Sequence, residues 1–308
     1  MRVAVIDIGS NSIKMLVAQR GADGSPLEIV SRATEARISR GISSERPHLE
    51  AKAMESAVGV VSEMVAEARA LGVENLAAVA TSAVRDASNG SEFRDKLRAA
   101  TGLELRILSG LQEAALIGRG LSTDPALANL QDFDVFDLGG GSMECLALHG
   151  RTVEAAVSLP LGCVRLTERF VAEPGSPLSD AAASAIAEHV RTTLLASGFP
   201  FPVPRAARII GTGGTLATVC AIVAGPGQPP QMEPSSIPVT LLRRILDRMA
   251  PLRLDDRKKV EGLSPARADV FPAALVTLLA LAEVGRFEEL QFSLRNLRWG
   301  VASEILAR

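Results

Sequence analysis

The sequence predicts an α/β fold made of two similar lobes, and three observations lead to this prediction. The chain has 308 residues, which is more than one typical domain core requires. Short apolar runs typical of buried strands alternate with longer segments whose apolar residues recur at helical spacing. A strand–loop–strand pattern with a glycine-containing loop occurs twice. Together these features predict a duplicated α/β domain.

The two copies of this pattern start at residues 5 and 135. They read VIDIGSNSIKML and VFDLGGGSMECL, and they align without a gap. Asp7 falls on Asp137 and Lys14 falls on Glu144, while apolar positions match apolar positions. Two unrelated glycine hairpins are the alternative interpretation. An internal duplication predicts instead that each lobe carries one phosphate-binding loop and that both loops face a shared cleft.

The second copy contains residue types that suit a phosphate bound together with a metal ion. Asp137, three glycines, Ser142 and Glu144 lie within one short stretch. Glycine N–H groups can converge on an anion because no Cβ stands in the way. The carboxylates alone would repel a phosphate, whereas Mg²⁺ commonly binds one or two carboxylates plus phosphate oxygens. The stretch therefore predicts a site for a phosphate with a divalent cation.

The first lobe is predicted to contain five strands and three helices. The strands are 2–8, 13–19, 27–32, 76–80 and 104–108, and the helices are 49–71, 91–101 and one that begins near residue 111. Gly72 is expected to end the first helix. The basic segment 37–41 is either a solvated loop or an edge of the anion-binding cleft.

Two polar groups of the first lobe follow directly after predicted strands. Thr81, Ser82 and Arg85 could present hydroxyls, N–H groups and a guanidinium to a phosphate at a helix start. Ordinary helix caps are the alternative, because Ser and Thr are common in that role. Glu113 lies in the first turn of a predicted helix. It is either a solvated carboxylate stabilised by the helix dipole or a carboxylate at the mouth of the cleft.

The second lobe is predicted to repeat the alternation of strands and helices. After the central motif the strands are 151–159, 208–210 and 289–292, and the helices are 167–170, 180–195, 240–249, 270–281 and 297–307. A third glycine-rich loop, 211–215, follows the strand 208–210. The proline-rich segment 225–238 is predicted to be a surface loop. The charged run 255–259 is predicted to be a solvated face.

Composition excludes several classes of function. The net charge of −2 gives no electrostatic case for binding nucleic acid or an anionic membrane. The N-terminus does not resemble a signal peptide, and no apolar stretch reaches the ~20 residues of a membrane helix. Cys145, Cys163 and Cys220 show no metal-ligand spacing and lie in apolar contexts. They are expected to be small buried hydrophobic residues, and a reducing cytoplasm fits them. The three histidines are far apart in the sequence, which disfavours a histidine-based triad or zinc site.

Several motifs, in order along nearly the whole chain, resemble the exopolyphosphatase and guanosine pentaphosphate phosphohydrolase (Ppx/GppA) family. The matching stretches are 7–12, 80–85, 109–114, 137–144, 161–170, 211–215 and 267–269. This resemblance implies a two-lobed, actin-like fold of the duplicated ribonuclease H-like kind, with a cleft between the lobes. The lobes are expected at 1–124 and 125–308, and the final helix, 297–308, is expected to pack back on the first lobe.

The resemblance also implies roles for individual residues. Glu113 matches the base that activates the attacking water, and Asp137 and Glu144 match acidic residues that serve catalysis and Mg²⁺ binding. The implied metal ligands are Asp7, Asp137 and Glu144, with Mn²⁺ as an alternative to Mg²⁺. The implied phosphate-binding residues are Gly9, Ser10, Asn11, Ser12, Thr81, Ser82, Arg85, Gly139, Gly140, Gly141, Ser142, Gly211, Thr212, Gly213 and Gly214. The sequence departs from the family pattern at Gln112, where many members have glutamate, and at Met143, where threonine is usual.

The implied activity is exopolyphosphatase, a Mg²⁺-dependent phosphoanhydride hydrolase that removes the terminal phosphate of inorganic polyphosphate. Short chains are the expected substrates, because long members append helical domains and this sequence ends at residue 308. The closest alternative is hydrolysis of pppGpp to ppGpp. A non-hydrolytic sensor of polyphosphate or alarmone and an ATP-dependent kinase are further alternatives. The family also leads us to expect a homodimer.

Overall fold

The computed structural model describes residues 1–204, 208–225 and 236–307. Its backbone contacts separate the chain into two compact units. Unit 1 comprises residues 1–128 together with the C-terminal residues from 295 onward, and unit 2 comprises residues 129–294. Each unit contains one β-sheet with helices packed against it. None of the helices in the described residues is long and apolar enough to span a membrane.

Unit 1 is built on a five-stranded sheet. Its strands are β1 (Arg2–Ile8), β2 (Ser12–Arg20), β3 (Pro26–Glu35), β4 (Asn75–Ala80) and β5 (Leu105–Ile107). They form one sheet in the order β3-β2-β1-β4-β5, in which β1, β2 and β3 are antiparallel neighbours and β4 and β5 run parallel to β1. Its helices are α1 (Ala51–Ala70), α2 (Ser82–Asp86), α3 (Gly90–Thr101), α4 (Gly110–Leu121) and the last helix, α11 (Leu297–Leu306).

Unit 2 is built on a six-stranded sheet. Its strands are β6 (Phe133–Leu138), β7 (Met143–His149), β8 (Thr152–Leu159), β9 (Arg208–Thr212), β10 (Ser236–Pro238) and β11 (Glu289–Phe292), in the spatial order β10-β11-β9-β6-β7-β8. Its helices are α5 (Cys163–Phe170), α6 (Asp180–Ala196), α7 (Gly214–Ala224), α8 (Val239–Met249), α9 (Leu254–Arg257) and α10 (Phe271–Gly285). Helix α10 is apolar on all sides and is buried among α5, α6, α7 and α8, as expected of a central helix.

The two sheets repeat one architecture. Strands β6, β7 and β8 pair antiparallel like β1, β2 and β3, while β9 runs parallel to β6 as β4 runs parallel to β1. The second and third strands of each sheet also carry an irregularity in register at equivalent positions, Val17/Ala18 and Ala147/Leu148. Because a bulge is a position-specific feature of a strand pair, its recurrence supports duplication over two unrelated hairpins.

The last helix of the chain completes unit 1 by packing against α4 and β1. The crossing of α4 and α11 is close because glycines face each other there. A Cβ on Gly120 would clash with the carbonyl of Asn296, and a Cβ on Gly300 would clash with the carbonyl of Leu116. The two helix backbones therefore approach within a distance that only glycine allows at these positions.

The structure corrects two details of the predicted second lobe. Residues 236–238, predicted as the end of a loop, form the short strand β10, which pairs with β11. Residues 226–235 of that predicted loop lie outside the described part of the chain. Arg257, predicted on a solvated face, is 2% exposed. Its guanidinium donates to the carbonyls of Leu252, Ala268, Pro174 and Ser176 at 2.6–3.1 Å.

Strand β6 also buries an aspartate that sequence patterning did not single out. Asp134 is 3% exposed, and its Oδ2 has no hydrogen-bond partner among the described residues. Burial raises the pKa of Asp134 to about 6 from the ordinary value of 3.8. The Asp134 carboxyl group therefore binds its proton more tightly in the folded state than in the unfolded state. Its ionisation costs stability as the pH rises from about 4 to above 6.

Asp134→Asn is therefore expected to stabilise the protein more at neutral than at acidic pH. The shift in pKa corresponds to a gain in unfolding free energy of about 3 kcal/mol at pH 7.5 and about half of that at pH 5. Urea unfolding at the two pH values measures this difference. Asp247→Asn, an exposed position on α8, is the matched control and should change little at either pH. An equal effect of Asp134→Asn at both pH values would contradict the expectation.

Candidate active site

The first glycine loop connects β1 to β2. Its backbone closes on itself because the N–H of Gly9 donates to the carbonyl of Ser12 at 3.1 Å. Ser10 ties the loop to two other segments. Its Oγ lies 3.1 Å from Oγ of Ser82, and its carbonyl accepts a hydrogen bond from Oγ of Ser39 at 2.9 Å. Contacts within unit 1 therefore define the shape of this loop.

Asn11 connects the same loop to the basic segment that follows β3. Its Nδ2 donates to Oε2 of Glu35 at 2.6 Å, and its carbonyl accepts the N–H of Arg37 at 3.0 Å. Residues 38–39 are buried, whereas the side chains of Arg37 and Arg40 are exposed. The basic segment is thus more than a solvated loop, because its centre is anchored on the glycine loop and its two guanidinium groups stay at the surface.

Asp7 occupies the position on β1 directly opposite Lys14 on β2. Its Oδ1 is buried and has no hydrogen-bond partner among the described residues. Burial raises the pKa of Asp7, while the positive charges of Lys14 and Arg298 act in the opposite direction and are the smaller effects. Asp7 therefore offers a buried oxygen atom that a cation or a water molecule could satisfy.

The ends of β4 and β5 bring Arg85 and Glu113 together. These strands are parallel neighbours, so the helices that follow them, α2 and α4, begin at the same edge of the sheet. Nη1 of Arg85 donates to Oε2 of Glu113 at 2.8 Å and lies 3.2 Å from the carbonyl of Leu108. Glu113 is 6% exposed. The first of the two interpretations of Glu113, a solvated first-turn carboxylate, is therefore wrong.

A reciprocal cap fixes the helix turn that carries Glu113. Oγ of Ser109 accepts the N–H of Gln112 at 3.2 Å, and Oε1 of Gln112 accepts the N–H of Ser109 at 2.9 Å. This capping box satisfies two backbone groups at the start of α4. Gln112, which departs from the family pattern, therefore keeps a structural role without adding a second negative charge beside Glu113.

The second glycine loop, residues 139–142, connects β6 to β7 and is anchored by α5. The carbonyl of Gly140 accepts the N–H of Val164 at 2.8 Å in the first turn of that helix. Nε of Arg165 donates to the carbonyl of Gly141 at 2.9 Å. Helix α5 therefore holds the loop through the carbonyl oxygens of Gly140 and Gly141.

A row of four polar residues crosses the sheet of unit 2. Asp137 on β6 lies directly opposite Glu144 on β7 and Thr212 on β9, and Glu144 lies opposite Ser158 on β8. Directly opposed side chains point to the same face of a sheet. Oγ of Ser158 donates to Oε1 of Glu144 at 2.7 Å, and Oγ1 of Thr212 is buried with no hydrogen-bond partner among the described residues. The row thus gathers two buried carboxylates and two hydroxyls.

The third glycine segment differs from its predicted form. Gly211 and Thr212, predicted to lie in a loop, belong to strand β9. A Cβ on Gly211 would clash with Cδ1 of Leu216 and would lie 3.0 Å from Cδ1 of Leu290. The absence of a side chain at Gly211 is therefore explained by packing of the sheet against α7.

The turn after β9 is shaped by two further glycines. Gly213 has a φ of +98°, which L-residues with a side chain rarely adopt, and a Cβ there would clash with Oδ1 of Asp137. A Cβ on Gly214 would clash with the guanidinium of Arg267. The backbone at the start of α7 therefore lies against a carboxylate on one side and a guanidinium on the other.

Comparison with known proteins identifies the family. Residues 5–308 match the family model of the Ppx/GppA phosphatase family. The chain belongs to this family. A guanosine-5'-triphosphate,3'-diphosphate pyrophosphatase from Vibrio atlanticus (strain LGP32) is 28% identical to this family member over 303 residues, which are 98% of this chain and 59% of that protein. The chain thus spans about three fifths of the length of that curated relative.

Two solved structures show the similarity in three dimensions. A Ppx/GppA family member from Aquifex aeolicus is 26% identical, with a TM-score of 0.81 over 100% of this chain and 98% of that one. An exopolyphosphatase from Cytophaga hutchinsonii ATCC 33406 is 20% identical, with a TM-score of 0.88 over 100% and 98% of the two chains, and supports the fold alone. The predicted Ppx/GppA family and the predicted duplicated, actin-like α/β fold are confirmed.

Each unit of this Ppx/GppA member gathers its own subset of the predicted residues. In unit 1 the glycine loop contacts Ser82, and Arg85 contacts Glu113. In unit 2 the loop 139–142 joins the two strands that carry Asp137 and Glu144. Thr81 is buried in the turn after β4, and its carbonyl accepts the N–H of Arg85 at 2.9 Å. Thr81 therefore has a structural contact in addition to its predicted role.

The carboxylates of unit 2 fit a divalent cation. Asp137 and Glu144 are 8% and 2% exposed and directly opposed, and like charges in this arrangement destabilise a sheet, which a divalent cation bound to both would relieve. No group of three or more His, Cys, Asp or Glu side chains in the described ranges is arranged as a metal site. Mg²⁺ does not require such a cage, because it commonly uses one or two carboxylates and completes its shell with water and phosphate oxygens.

Two positioning contacts of this family member were not predicted from the sequence. Ser158 holds Glu144, and Ser39 holds the carbonyl of Ser10. Both contacts join residues that are separated by a strand or more in the sequence, and neither serine lies in a recognisable motif. The signal for Ser39 was its place in the basic segment 37–41. The signal for Ser158 was the register of a β-meander, which would place it opposite Glu144 once both strand boundaries were known.

Proposed function

We propose that this protein is a divalent-metal-dependent phosphoanhydride hydrolase that removes the terminal phosphate of short inorganic polyphosphate. The observation that carries the proposal is the buried Glu113 carboxylate, held 2.8 Å from the Arg85 guanidinium at the end of two parallel strands. A carboxylate can accept the proton of an attacking water, and a guanidinium can bind a phosphate, so the pair suits hydrolysis of a phosphoanhydride by water. Membership in a phosphatase family supports the same conclusion.

The residues of unit 1 supply the base and part of the phosphate-binding surface in this proposal. Glu113 accepts a proton from the attacking water, and the capping box at the start of α4 keeps its carboxylate in place. Arg85 binds phosphate oxygens through its forked N–H groups. The N–H and hydroxyl groups of the loop 9–12, with Thr81 and Ser82, contribute further donors.

The residues of unit 2 supply the remaining charge stabilisation in this proposal. Asp137 and Glu144 are the proposed ligands of Mg²⁺ or Mn²⁺ in unit 2, and Asp7 is the proposed metal ligand in unit 1. A bound divalent cation would neutralise charge on the transferred phosphoryl group. The N–H groups of the loop 139–142 and of the turn at Gly213 and Gly214 are the proposed phosphate donors of unit 2, whereas Gly211 and Thr212, which were predicted with them, lie in strand β9.

Hydrolysis of pppGpp to ppGpp is the second candidate function. The Vibrio relative carries the name of a guanosine-5'-triphosphate,3'-diphosphate pyrophosphatase, which supports this substrate. The same carboxylate base and phosphate donors would serve either substrate, because both reactions release a terminal phosphate from a phosphoanhydride. A cytoplasmic location and a homodimeric state are further parts of the proposal; the three cysteines are free, which is compatible with a reducing compartment.

The proposed function is tested by phosphate release from four substrates in parallel. Short polyphosphate, long polyphosphate, pppGpp and ATP are each incubated with the protein in Mg²⁺ and in excess chelator. We expect Mg²⁺-dependent release that is fastest from short polyphosphate. Fastest release from pppGpp would favour the second candidate. Binding of polyphosphate without release from any of the four would contradict the enzyme assignment and leave a sensor.

Ser158→Ala tests the proposed role of Glu144 as a metal ligand. The hydroxyl of Ser158 orients the Glu144 carboxylate, and loss of such an outer contact typically weakens metal affinity or activity 10- to 100-fold. We expect the Mg²⁺ concentration for half-maximal phosphate release to rise about tenfold. Ser158→Thr keeps the hydroxyl and should restore the wild-type requirement. An unchanged Mg²⁺ requirement in Ser158→Ala would show that this contact does not tune the metal site.

A further inference from the structure

The Arg85–Glu113 contact joins two groups that have separate tasks in the proposed reaction. In the proposed function, Glu113 must accept a proton and Arg85 must bind a phosphate. In the structure, however, Nη1 of Arg85 donates to Oε2 of Glu113 at 2.8 Å, so the group that should bind phosphate is bound to the base. Side-chain exposures of 21% for Arg85 and 8% for Glu113 show that water does little to weaken this ion pair.

The ion pair matters because Glu113 must accept a proton in the proposed function. A guanidinium next to a carboxylate favours its charged form and lowers its tendency to accept a proton. A terminal phosphate carries more negative charge than a carboxylate and offers two oxygens to the fork of an arginine. An incoming phosphate is therefore a stronger partner for Arg85 than Glu113 is.

We propose that Arg85 exchanges partners during substrate binding, leaving Glu113 for the terminal phosphate and thereby releasing the base. This inference rests on the proposed function, because it assigns both residues to the same reaction. The exchange breaks the contact between Nη1 of Arg85 and Oε2 of Glu113 and changes no covalent bond. Nη1 also donates to the carbonyl of Leu108 at 3.2 Å. The guanidinium of Arg85 is therefore anchored near its tip before it changes partner.

The exchange has an unusual thermodynamic consequence for binding. In the wild type, the measured affinity for phosphate is reduced by the cost of breaking the Arg85–Glu113 contact. Replacing Glu113 by the isosteric glutamine weakens that contact, because a hydrogen bond to a charged group is stronger than one to a neutral group. Glu113→Gln should therefore bind a substrate analogue more tightly than the wild type does, by about threefold to tenfold.

Binding of an imido-bridged tripolyphosphate in Mg²⁺, measured by calorimetry, tests the exchange without turnover. The gain for Glu113→Gln could also arise from lost repulsion between the carboxylate and the analogue. A double-mutant cycle with Arg85→Gln separates the two causes. The exchange predicts that the gain disappears when Arg85 is replaced, whereas direct repulsion predicts that it persists. Arg85→Lys, which keeps the charge without the fork, serves if Arg85→Gln does not fold.

Asp86→Asn is the matched control for this cycle. Oδ1 of Asp86 contacts Nε of the same guanidinium at 3.4 Å, so it is a carboxylate neighbour that need not move when Nη1 changes partner. We expect its affinity for the analogue to stay within about twofold of the wild type. Affinity that is unchanged in Glu113→Gln, or a gain of equal size with and without Arg85, overturns the exchange.

The same binding experiment stays separate from the test of the proposed function. If the wild type binds the analogue but hydrolyses none of the four substrates, the hydrolase proposal fails, and the double-mutant cycle still reports whether Arg85 changes partner. If the substrates are hydrolysed but Glu113→Gln binds no more tightly, the exchange alone fails. A wild type that neither binds the analogue nor releases phosphate from any of the four substrates overturns both.

Discussion

Glu113→Gln is expected to lower kcat for phosphate release by about 10²- to 10⁴-fold without raising KM. A positioned carboxylate base typically contributes this much, and the glutamine amide cannot accept the proton of the attacking water. The fold and the capping box at Ser109 and Gln112 should be unaffected, because glutamine has the same shape as glutamate. Steady-state phosphate release from short polyphosphate, with unfolding temperature as a check on folding, measures the effect.

Glu92→Gln is the matched control for this variant. Glu92 also lies in the first turn of a helix, α3, but its side chain is 53% exposed. It should retain wild-type kcat, since a first-turn glutamate without a buried arginine partner has no assigned role in the reaction. Full activity in Glu113→Gln would remove Glu113 from the mechanism and would leave Asp137 or Glu144 as the carboxylate to test next.

Arg257→Met is expected to lower the unfolding free energy of the protein by about 3 to 5 kcal/mol. The guanidinium donates to four carbonyls from the segments 174–176, 252 and 268, and so joins three parts of unit 2. Methionine fills part of the space but removes the donor from all four carbonyls. The contact to Ala268 is buried and the other three are part-buried, and an unsatisfied group costs about 1 to 3 kcal/mol where it is fully buried and less where water reaches it. Urea unfolding at neutral pH measures the loss.

Lys258→Met is the control for the loss of Arg257. Lys258 is the next residue in the chain and forms a surface ion pair with Asp255 at 3.3 Å, with 43% of its side chain exposed. Such pairs contribute about 0 to 1 kcal/mol, so little change is expected. Arg257→Lys keeps one charge but cannot reach all four carbonyls, and its stability should lie between those of wild type and Arg257→Met. Equal stabilities of Arg257→Met and Lys258→Met would contradict the bridging role.

Much of the fold could be predicted because it is encoded locally. The strands β1 and β11 have the predicted bounds. Helix α1 ends at Ala70, and the predicted Gly72 follows two residues later with a φ of +70°, which is typical just after the end of a helix. The duplication could be predicted because the two strand–loop–strand segments that start at residues 5 and 135 align without a gap and match apolar positions with apolar positions. Arg257 could not be predicted in this way, since its neighbours 255, 256, 258 and 259 are charged and the run reads as a solvated surface. Its carbonyl partners come mostly from distant segments.

The candidate site was predictable in its residue types but not in its contacts. Motifs identified Arg85 and Glu113 separately, but only the pairing of β4 with β5 shows that their side chains meet. Gly211 illustrates the opposite error, because a glycine required for packing in a strand reads in the sequence like part of a phosphate loop. A local sequence pattern does not show whether a glycine makes room for a ligand or for a neighbouring leucine side chain.

The return of α11 to unit 1 has a consequence for how the polypeptide folds during its synthesis on the ribosome. Residues 129–294 form unit 2 as one continuous segment, whereas unit 1 needs residues from both ends of the chain. Domains usually fold in order as they emerge, beginning with the N-terminal one. Here the emerging N-terminal segment must wait, with the glycine face of α4 uncovered, until the last helix has been translated. The second unit can therefore complete its fold before the first.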